Sequence, residues 1–381
     1  MPYYADLNPE GRLGRDWAGD EQARVRACER LLALRHGLRQ PPPAGLPARQ
    51  MNTLLLGTWN IREFDSDNWG ARLPESYAYL AEIIDHFDLV AVQEVREGLG
   101  ALERLMDRLG RDWSYLVSDV TDKALTAGNG ERLAFLYDTR KVRFLGMTGE
   151  LVLPPVRVKS KDAAGKTVTT TVPATQIART PLMAAFQVGW TKFVLTTVHI
   201  VWGDDRAVPP ERVEEIRQIA RFLKERSETE SEPIHHFVLL GDFNIFADTD
   251  ETMTALREGG GFTIPNAIAS ADGSNIDRNR KYDQIAFRHA PERFQHTGKA
   301  GVVDVYEHVF TGDDATVYRP YIDRYIADRH AKGKKSPKAP KDAKTATQQY
   351  RAWRTHQISD HLPLWAEFRV DFADEYLQGL I

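Results

Sequence analysis

Phe237-Val-Leu-Leu-Gly-Asp-Phe-Asn244 is the stretch on which the reading of this chain turns. Four apolar residues run into a glycine, and Asp242 and Asn244 then flank one aromatic. The run is too short and too rich in β-branched and aromatic residues for a helix, so it reads as a buried strand. Asp and Asn disfavour strand interiors, which places both where the strand ends. The two-residue period then sets their side chains on one side of the backbone. A carboxylate and an amide projecting together from a sheet rim suit a hard divalent cation and a phosphoryl oxygen. The same residues equally suit a strand that closes in an Asx-turn.

Other apolar runs end in the same way. Thr53-Leu-Leu-Leu-Gly-Thr-Trp-Asn60 ends on Asn60, and Leu89-Val-Ala-Val-Gln-Glu-Val-Arg96 ends on Gln93, Glu94 and Arg96. The strand from Phe193 to Ile200 carries His199, and Tyr282-Asp-Gln-Ile-Ala-Phe287 starts on Asp283. Ser359-Asp360-His361 precedes a closing strand from Leu364 to Val370. Residues 132–137 and 142–146 are expected to form a hairpin with Glu131 at its entrance. Apolar spacing predicts helices over 18–38, 75–86, 99–109 and 210–226. Residues 154–176, rich in Lys, Thr, Gly and Pro, are expected to form an exposed loop or ribbon.

The 381 residues are 42% apolar and 27% charged, the composition of a globular protein with ample core. No apolar run reaches the length of a membrane-spanning helix, so no membrane anchor is expected. Cys28 is the only cysteine, which excludes an intrachain disulfide and suits a reducing, cytoplasmic compartment. The net charge of −4 gives no global pull on nucleic acid, but local patches and metal ions set the field at a site.

Asn60, Glu94, His199, Asp242, Asn244, Asp283, Asp360 and His361 therefore all stand at or near strand ends. A buried carboxylate without a partner is costly, so such a set must share cations or hydrogen bonds. Oxygen ligands without a cysteine cluster favour Mg²⁺ or Mn²⁺. Two histidines beside hard ligands suit acid–base work on a phosphate ester.

The ordered motifs Thr58-Trp-Asn60, Gln93-Glu-Val-Arg96, Gly241-Asp-Phe-Asn244, Tyr282-Asp283 and Ser359-Asp-His361 resemble the endonuclease/exonuclease/phosphatase superfamily. Glu131-Arg132 and the His199 position resemble its deoxyribonuclease-I-like branch. The resemblance implies an α+β fold, a four-layer α/β/β/α sandwich of two mixed β-sheets flanked by helices, with the site at one end. It implies that Glu94 and Asp360 hold the cation beside Asn60, and that Asp242 holds or activates the attacking water. Asn244 would stabilise charge on the phosphoryl oxygens. His199 and His361 would contact the phosphate and move protons, oriented by Glu131 and Asp283 respectively. Arg179 matches a phosphate-binding arginine, and Arg96 one that enters the DNA minor groove. One position departs: the DNA-cleaving branch has a sugar-stacking aromatic two residues before Glu131, where this chain has Asn129.

The domain reading is an N-terminal helical extension over 1–50, a catalytic domain over 51–372 and a C-terminal tail over 373–381. Within the domain, residues 328–354 carry nine Lys or Arg against two Asp. Such a segment is expected to be a mobile basic insertion, either a solvated loop or a guide for a polyanion. The function read from all this is a divalent-metal-dependent phosphodiester hydrolase, a nuclease with a nucleic-acid substrate. Hydrolysis of a small phosphoester and a non-catalytic nucleic-acid-binding scaffold are the alternatives. The sequence names no protein partner.

Overall fold

The computed structural model describes residues 2–8, 17, 20–120, 130–161, 165–229, 234–288, 294–335, 337–338 and 340–381. Asn129 lies outside the described residues. Thirteen described strands occur in order: β1 (Thr53–Phe64), β2 (Leu89–Arg96), β3 (Trp113–Val117), β4 (Glu131–Asp138), β5 (Arg143–Glu150), β6 (Val156–Lys161), β7 (Thr167–Val172), β8 (Leu182–Val188), β9 (Thr191–His199), β10 (Phe237–Asp242), β11 (Asp283–Arg288), β12 (Gln295–Val302) and β13 (Leu364–Arg369). They build a six-stranded sheet in the order β12-β13-β1-β2-β4-β3 and a five-stranded sheet in the order β11-β10-β9-β8-β5. β6 and β7 pair only with each other. Both large sheets are mixed, because β1 runs parallel to β2 and β9 parallel to β10 while their other pairs are antiparallel.

Period-2 alternation explains the layering. Along β1, Leu54 and Leu56 enter the core that contains the second sheet, whereas Leu55 and Trp59 turn to the opposite face. β2 repeats this with Leu89 and Ala91 against Val90 and Val92. A strand buried on both faces must be apolar at every position, which is why these runs show no polar alternation. The outer face of the first sheet is covered by α1 (Glu21–Leu38), α2 (Pro74–Asp85) and α3 (Gly100–Leu109). The second sheet is covered by α4 (Pro210–Ser227) and α5 (Glu251–Gly260). The result is the four-layer α/β/β/α sandwich. α6 (Asn266–Ala269) is a single turn in the connection to β11. None of the described helices is long and apolar enough to cross a membrane.

α1 buries Ala27, Leu31 and Leu34 and is tied to α2 by Arg26–Glu75 at 3.1 Å and Arg35–Glu82 at 2.7 Å. The N-terminal helix thus packs on the main body. The C-terminal residues carry a short exposed helix, α9 (Ala373–Gln378).

Two expectations are overturned. β4 and β5 do not form a hairpin: β4 lies between β2 and β3 in the first sheet, and β5 pairs with β8 in the second. The connection at 139–142 crosses between layers, because Asp138 is pinned by Arg49 at 2.5 Å and by Arg140 at 2.6 Å, and Lys141 bonds Asp88 at 2.5 Å. The basic segment is also not a loop throughout. α7 (Ala315–Ala331) enters it and α8 (Ala343–Gln357) leaves it. Asp342 caps α8, accepting from Thr345 N at 2.7 Å, and Tyr350 and Trp353 are buried at helical spacing in the apolar layer over the first sheet. The positive charge masked an apolar stripe.

Candidate active site

The site lies where β1, β2, β9 and β10 end. Register decides what meets there. Asp242 stands opposite His199 across the parallel β9–β10 pair and opposite Asp283 across the antiparallel β10–β11 pair. One carboxylate is thereby set between an imidazole and a second carboxylate at a single level of the sheet. Gly241 makes this possible. Its φ is +133°, and a Cβ there would stand 2.1 Å from the Val198 carbonyl oxygen, so only glycine lets β9 approach so closely.

Two buried contacts fix the sheets to each other at this end. Gln93 Nε2 donates to Thr197 Oγ1 at 2.9 Å, and Asn60 Nδ2 donates to Asp242 Oδ2 at 3.0 Å. The Ser359-Asp360-His361 loop is pinned to β1. Ser359 Oγ donates to the Asn60 carbonyl at 2.6 Å and accepts from Arg62 N and His361 N, and Trp59 Nε1 donates to the His361 carbonyl at 2.9 Å.

Two histidine–carboxylate pairs face each other across Asp242. His361 Nδ1 lies 2.8 Å from Asp283 Oδ2, and its Nε2 is 3.7 Å from Asp242 Oδ2. His199 Nδ1 lies 3.0 Å from Glu131 Oε2, and its Nε2 is 3.6 Å from the same Asp242 oxygen. Asp283 thus sets the His361 ring by a hydrogen bond and Glu131 stands against His199 Nδ1, so that both Nε2 atoms point inward. Burial disfavours the charged form of His361, but the charges of Asp283 and Asp242 and the Asp283 hydrogen bond outweigh it and hold its pKa well above the ordinary value. His199 is likewise raised: burial and the Arg179 charge oppose the proton, while Glu131 and Asp242 favour it. Burial would lift Glu131, but His199, Arg179 and Arg96 hold its pKa down at about 2.

Glu94 reaches the site through a bulge. The register of β2 shifts between Val92 and Val95, and Glu94 takes φ +61°. A left-handed backbone at a carboxylate is strained and persists where its surroundings enforce it. Here Glu94 Oε1 accepts from Asn60 Nδ2 at 2.9 Å and Oε2 from Glu63 N at 2.7 Å. Asp360 is partly exposed and lies 3.4 Å from Arg62 Nη1. Asn60 Oδ1 is fully buried, and no described group donates to it. Asn60 is hydrogen-bonded to Glu94, and Glu94 and Asp360 line the same cleft; their oxygens are the donor type that a hard divalent cation takes. Asp242, Asp283 and His361 form a tighter acidic cluster, with donor atoms within 4.8 Å. The Asp283–His361 hydrogen bond occupies Nδ1 of that cluster, so its geometry is that of a proton relay.

A cleft of about 580 Å³ collects Glu94, Arg96, Glu131, Arg179, His199, Asp242, Asn244, Asp360 and His361. Asn60 and Asp283 sit behind this wall and reach it through their partners. The arginines act first on Glu131: Arg179 Nε donates to its Oε2 at 2.8 Å and Arg96 Nη1 stands 3.5 Å from its Oε1. Asn244 takes φ +54°, its backbone N–H donates to Asp242 Oδ1 at 2.9 Å, and its Nδ2 donates to the Ile200 carbonyl at 2.8 Å. The Asx-turn and the site are therefore the same structure.

Glu63, Trp202 and the ring of Tyr282 also line the cleft, and the sequence reading assigned none of them a role. Tyr282 lies 5.4 Å from the His361 ring, and Trp202 packs on Tyr282 and Phe246. Trp202 stands three residues after His199, and that spacing was the available signal.

The arrangement is a cleft with two histidine–carboxylate pairs around one central carboxylate. The chain belongs to the Endonuclease/Exonuclease/phosphatase family, which matches residues 57–361. It is similar to a deoxyribonuclease of Thioalkalivibrio sp. (strain K90mix), with 31% identity over 205 residues that cover 52% of this chain and 48% of that protein. The match thus spans about half the length of that curated relative. Similar solved structures include humanized D. rerio TDP2, at 15% identity and TM-score 0.48, covering 84% of this chain and 99% of that one. The human Nocturnin catalytic domain follows at 12% identity and TM-score 0.47, covering 84% of this chain and 95% of that one. A mannosyl-6-phosphatase of Bacteroides thetaiotaomicron VPI-5482 has 15% identity and TM-score 0.46, covering 83% of this chain and 99% of that one.

Proposed function

We propose that this chain is a divalent-metal-dependent phosphodiester hydrolase, a nuclease that cleaves DNA or RNA by attack of water on phosphorus. The observation that carries this reading is the convergence of His199 Nε2 and His361 Nε2 on Asp242 Oδ2 at 3.6 and 3.7 Å. Asp242 is placed to orient a water and take its proton. Both imidazoles are biased towards the protonated form, so each can donate Nε2–H to a phosphoryl oxygen or to the departing oxygen. Asn244 stands beside them, where its amide supports developing negative charge. Asn60, Glu94 and Asp360 would hold Mg²⁺ or Mn²⁺, which when bound supplies further charge neutralisation at phosphorus. A nucleic-acid substrate is supported by the similarity to a deoxyribonuclease.

The test is purified protein with Mg²⁺ or Mn²⁺, or with EDTA, against plasmid DNA, single-stranded DNA, RNA and a phosphomonoester panel. Metal-dependent strand cleavage, abolished by EDTA, is expected. Full activity after exhaustive chelation, or activity confined to phosphomonoesters, overturns the reading.

A further inference from the structure

The β6–β7 ribbon belongs to neither sheet. Its register pairs Val156 with Val172, Val158 with Thr170 and Ser160 with Val168. The alternate pairs are Arg157 with Thr171, Lys159 with Thr169 and Lys161 with Thr167. Side chains alternate across a strand, so Arg157, Lys159 and Lys161 form one cationic row, lined by threonine hydroxyls on the partner strand. Every described residue of the two strands except Val172 is exposed. None of the three cations is paired with a described carboxylate, and residues 154–176 carry four Lys or Arg against one Asp. A lone two-stranded ribbon is marginal in water, and this one gains no burial from the body of the protein.

Its root is firm and adjoins the site. Leu153 N donates to Gln176 Oε1 at 2.9 Å and Gln176 Nε2 donates back to the Leu153 carbonyl at 3.1 Å. Leu151 N donates to the Pro181 carbonyl at 2.9 Å, and Leu151, Leu153 and Ile177 are buried. Arg179, in the cleft wall, lies seven residues beyond Val172, so the chain between them spans at most about 24 Å. That is less than the roughly 34 Å of one turn of B-form DNA. A duplex of one turn or more with a phosphate in the cleft is therefore long enough to reach the root of the ribbon.

We propose that the β6–β7 ribbon is a duplex-DNA-binding arm, which lies in a groove beside the scissile phosphate and contacts the backbone through Arg157, Lys159 and Lys161. The major groove, about 12 Å wide, admits a two-stranded ribbon. Cations facing phosphates supply affinity and register without reading sequence. The proposal rests on the nuclease reading for the occupant of the cleft.

The test uses the full chain and Arg157→Gln/Lys159→Gln/Lys161→Gln. Binding to a fluorescent 30-base-pair DNA duplex is followed by anisotropy in EDTA across a NaCl series. Turnover of bis(4-nitrophenyl) phosphate is measured with Mn²⁺. The triple variant should bind at least about tenfold more weakly at low salt. Its salt slope should flatten by about one per cation removed. Turnover of the small diester should stay unchanged, because no cleft residue is altered. Unaltered duplex affinity and salt slope overturn the arm, and so does a loss confined to single strands. If the unaltered chain hydrolyses no diester, the nuclease reading falls by itself, and the binding series still decides whether the ribbon holds DNA.

Discussion

The Asp283–His361 pair allows the sharpest test, because catalysis and stability should both respond to it and in different ways. The perturbations are His361→Ala, Asp283→Ala and the double variant. Losing a proton-transfer group costs about 10²–10⁴-fold, so His361→Ala should lower kcat/KM by that much. Asp283 acts through a buried hydrogen bond of 2.8 Å to the ring. A hydrogen bond to a charged group contributes about 1.5–3 kcal/mol, so Asp283→Ala alone should cost about 10- to 150-fold. If the two groups form one device, the double variant should fall within about threefold of His361→Ala, the behaviour of residues that act as a unit. Separate roles would multiply, giving about 10³–10⁶-fold. Stability should run the other way. His361→Ala strands a carboxylate that is 2% exposed, a burial penalty of about 1–3 kcal/mol. Burial already pushes the Asp283 carboxyl above its ordinary range even with the ring present. Its folded pKa then exceeds its unfolded value, so the penalty is full above the folded pKa and shrinks as pH falls through it. The double variant has no stranded charge and should be at least as stable as His361→Ala in urea at pH 7. Fully multiplicative rate losses, or a double variant clearly less stable than His361→Ala, would refute the coupling.

Two other substitutions test parts of the same construction. Trp353→Ala should cost about 3–5 kcal/mol in urea denaturation, as for a fully buried indole, whereas a loop position would lose less than about 0.5 kcal/mol. Trp202→Ala should lower kcat/KM for a dinucleotide about 5- to 150-fold by removing a base-stacking surface, while methyl 4-nitrophenyl phosphate turnover stays the same. Equal losses on both substrates would mean that the indole only props its loop.

Much of the site was legible because its residues end strands that are otherwise uninterrupted. An apolar run that stops on Asn60 or Asp242, or starts on Asp283, leaves few physical options, and sheet register did the rest. The pairing of His361 with Asp283 and of His199 with Glu131 follows from the fold that the ordered motifs implied. Glu94 was harder to place. Simple alternation along β2 does not say which of Gln93 and Glu94 faces the cleft, and the bulge decides it: Gln93 bridges the two sheets while Glu94 lines the cleft. β4 and β5 were misjoined because local spacing resembles a hairpin wherever two strands follow a short connection. Their true partners, β2 and β8, are distant in sequence. In α8, net charge hid the Tyr350–Trp353 stripe, since three of the nine cations share the helix with those rings.

Arg212 shows why the remainder could not be read at all. In the sequence it is one arginine on an amphipathic helix, with nothing to set it apart from Arg217 or Arg221. In the fold it is fully buried, and its guanidinium donates to carbonyl oxygens of Val201, Trp202, Asp204, Arg206, Ala207 and Asn244. It also lies 5.0 Å from the Trp202 ring and 5.4 Å from that of Phe246. Burying a guanidinium is expensive unless its five donors are met, and here the loop after β9 and Asn244 after β10 meet them with main-chain oxygens. Carbonyl partners leave no trace in side-chain identity, so no spacing rule finds them. The consequence is functional as well as structural. One cation holds Asn244 on the strand side and Trp202 on the loop side, so the amide and the aromatic wall of the cleft are set by the same buried contact. Lysine at 212 would keep the charge but has three donors in place of five, and could not span both.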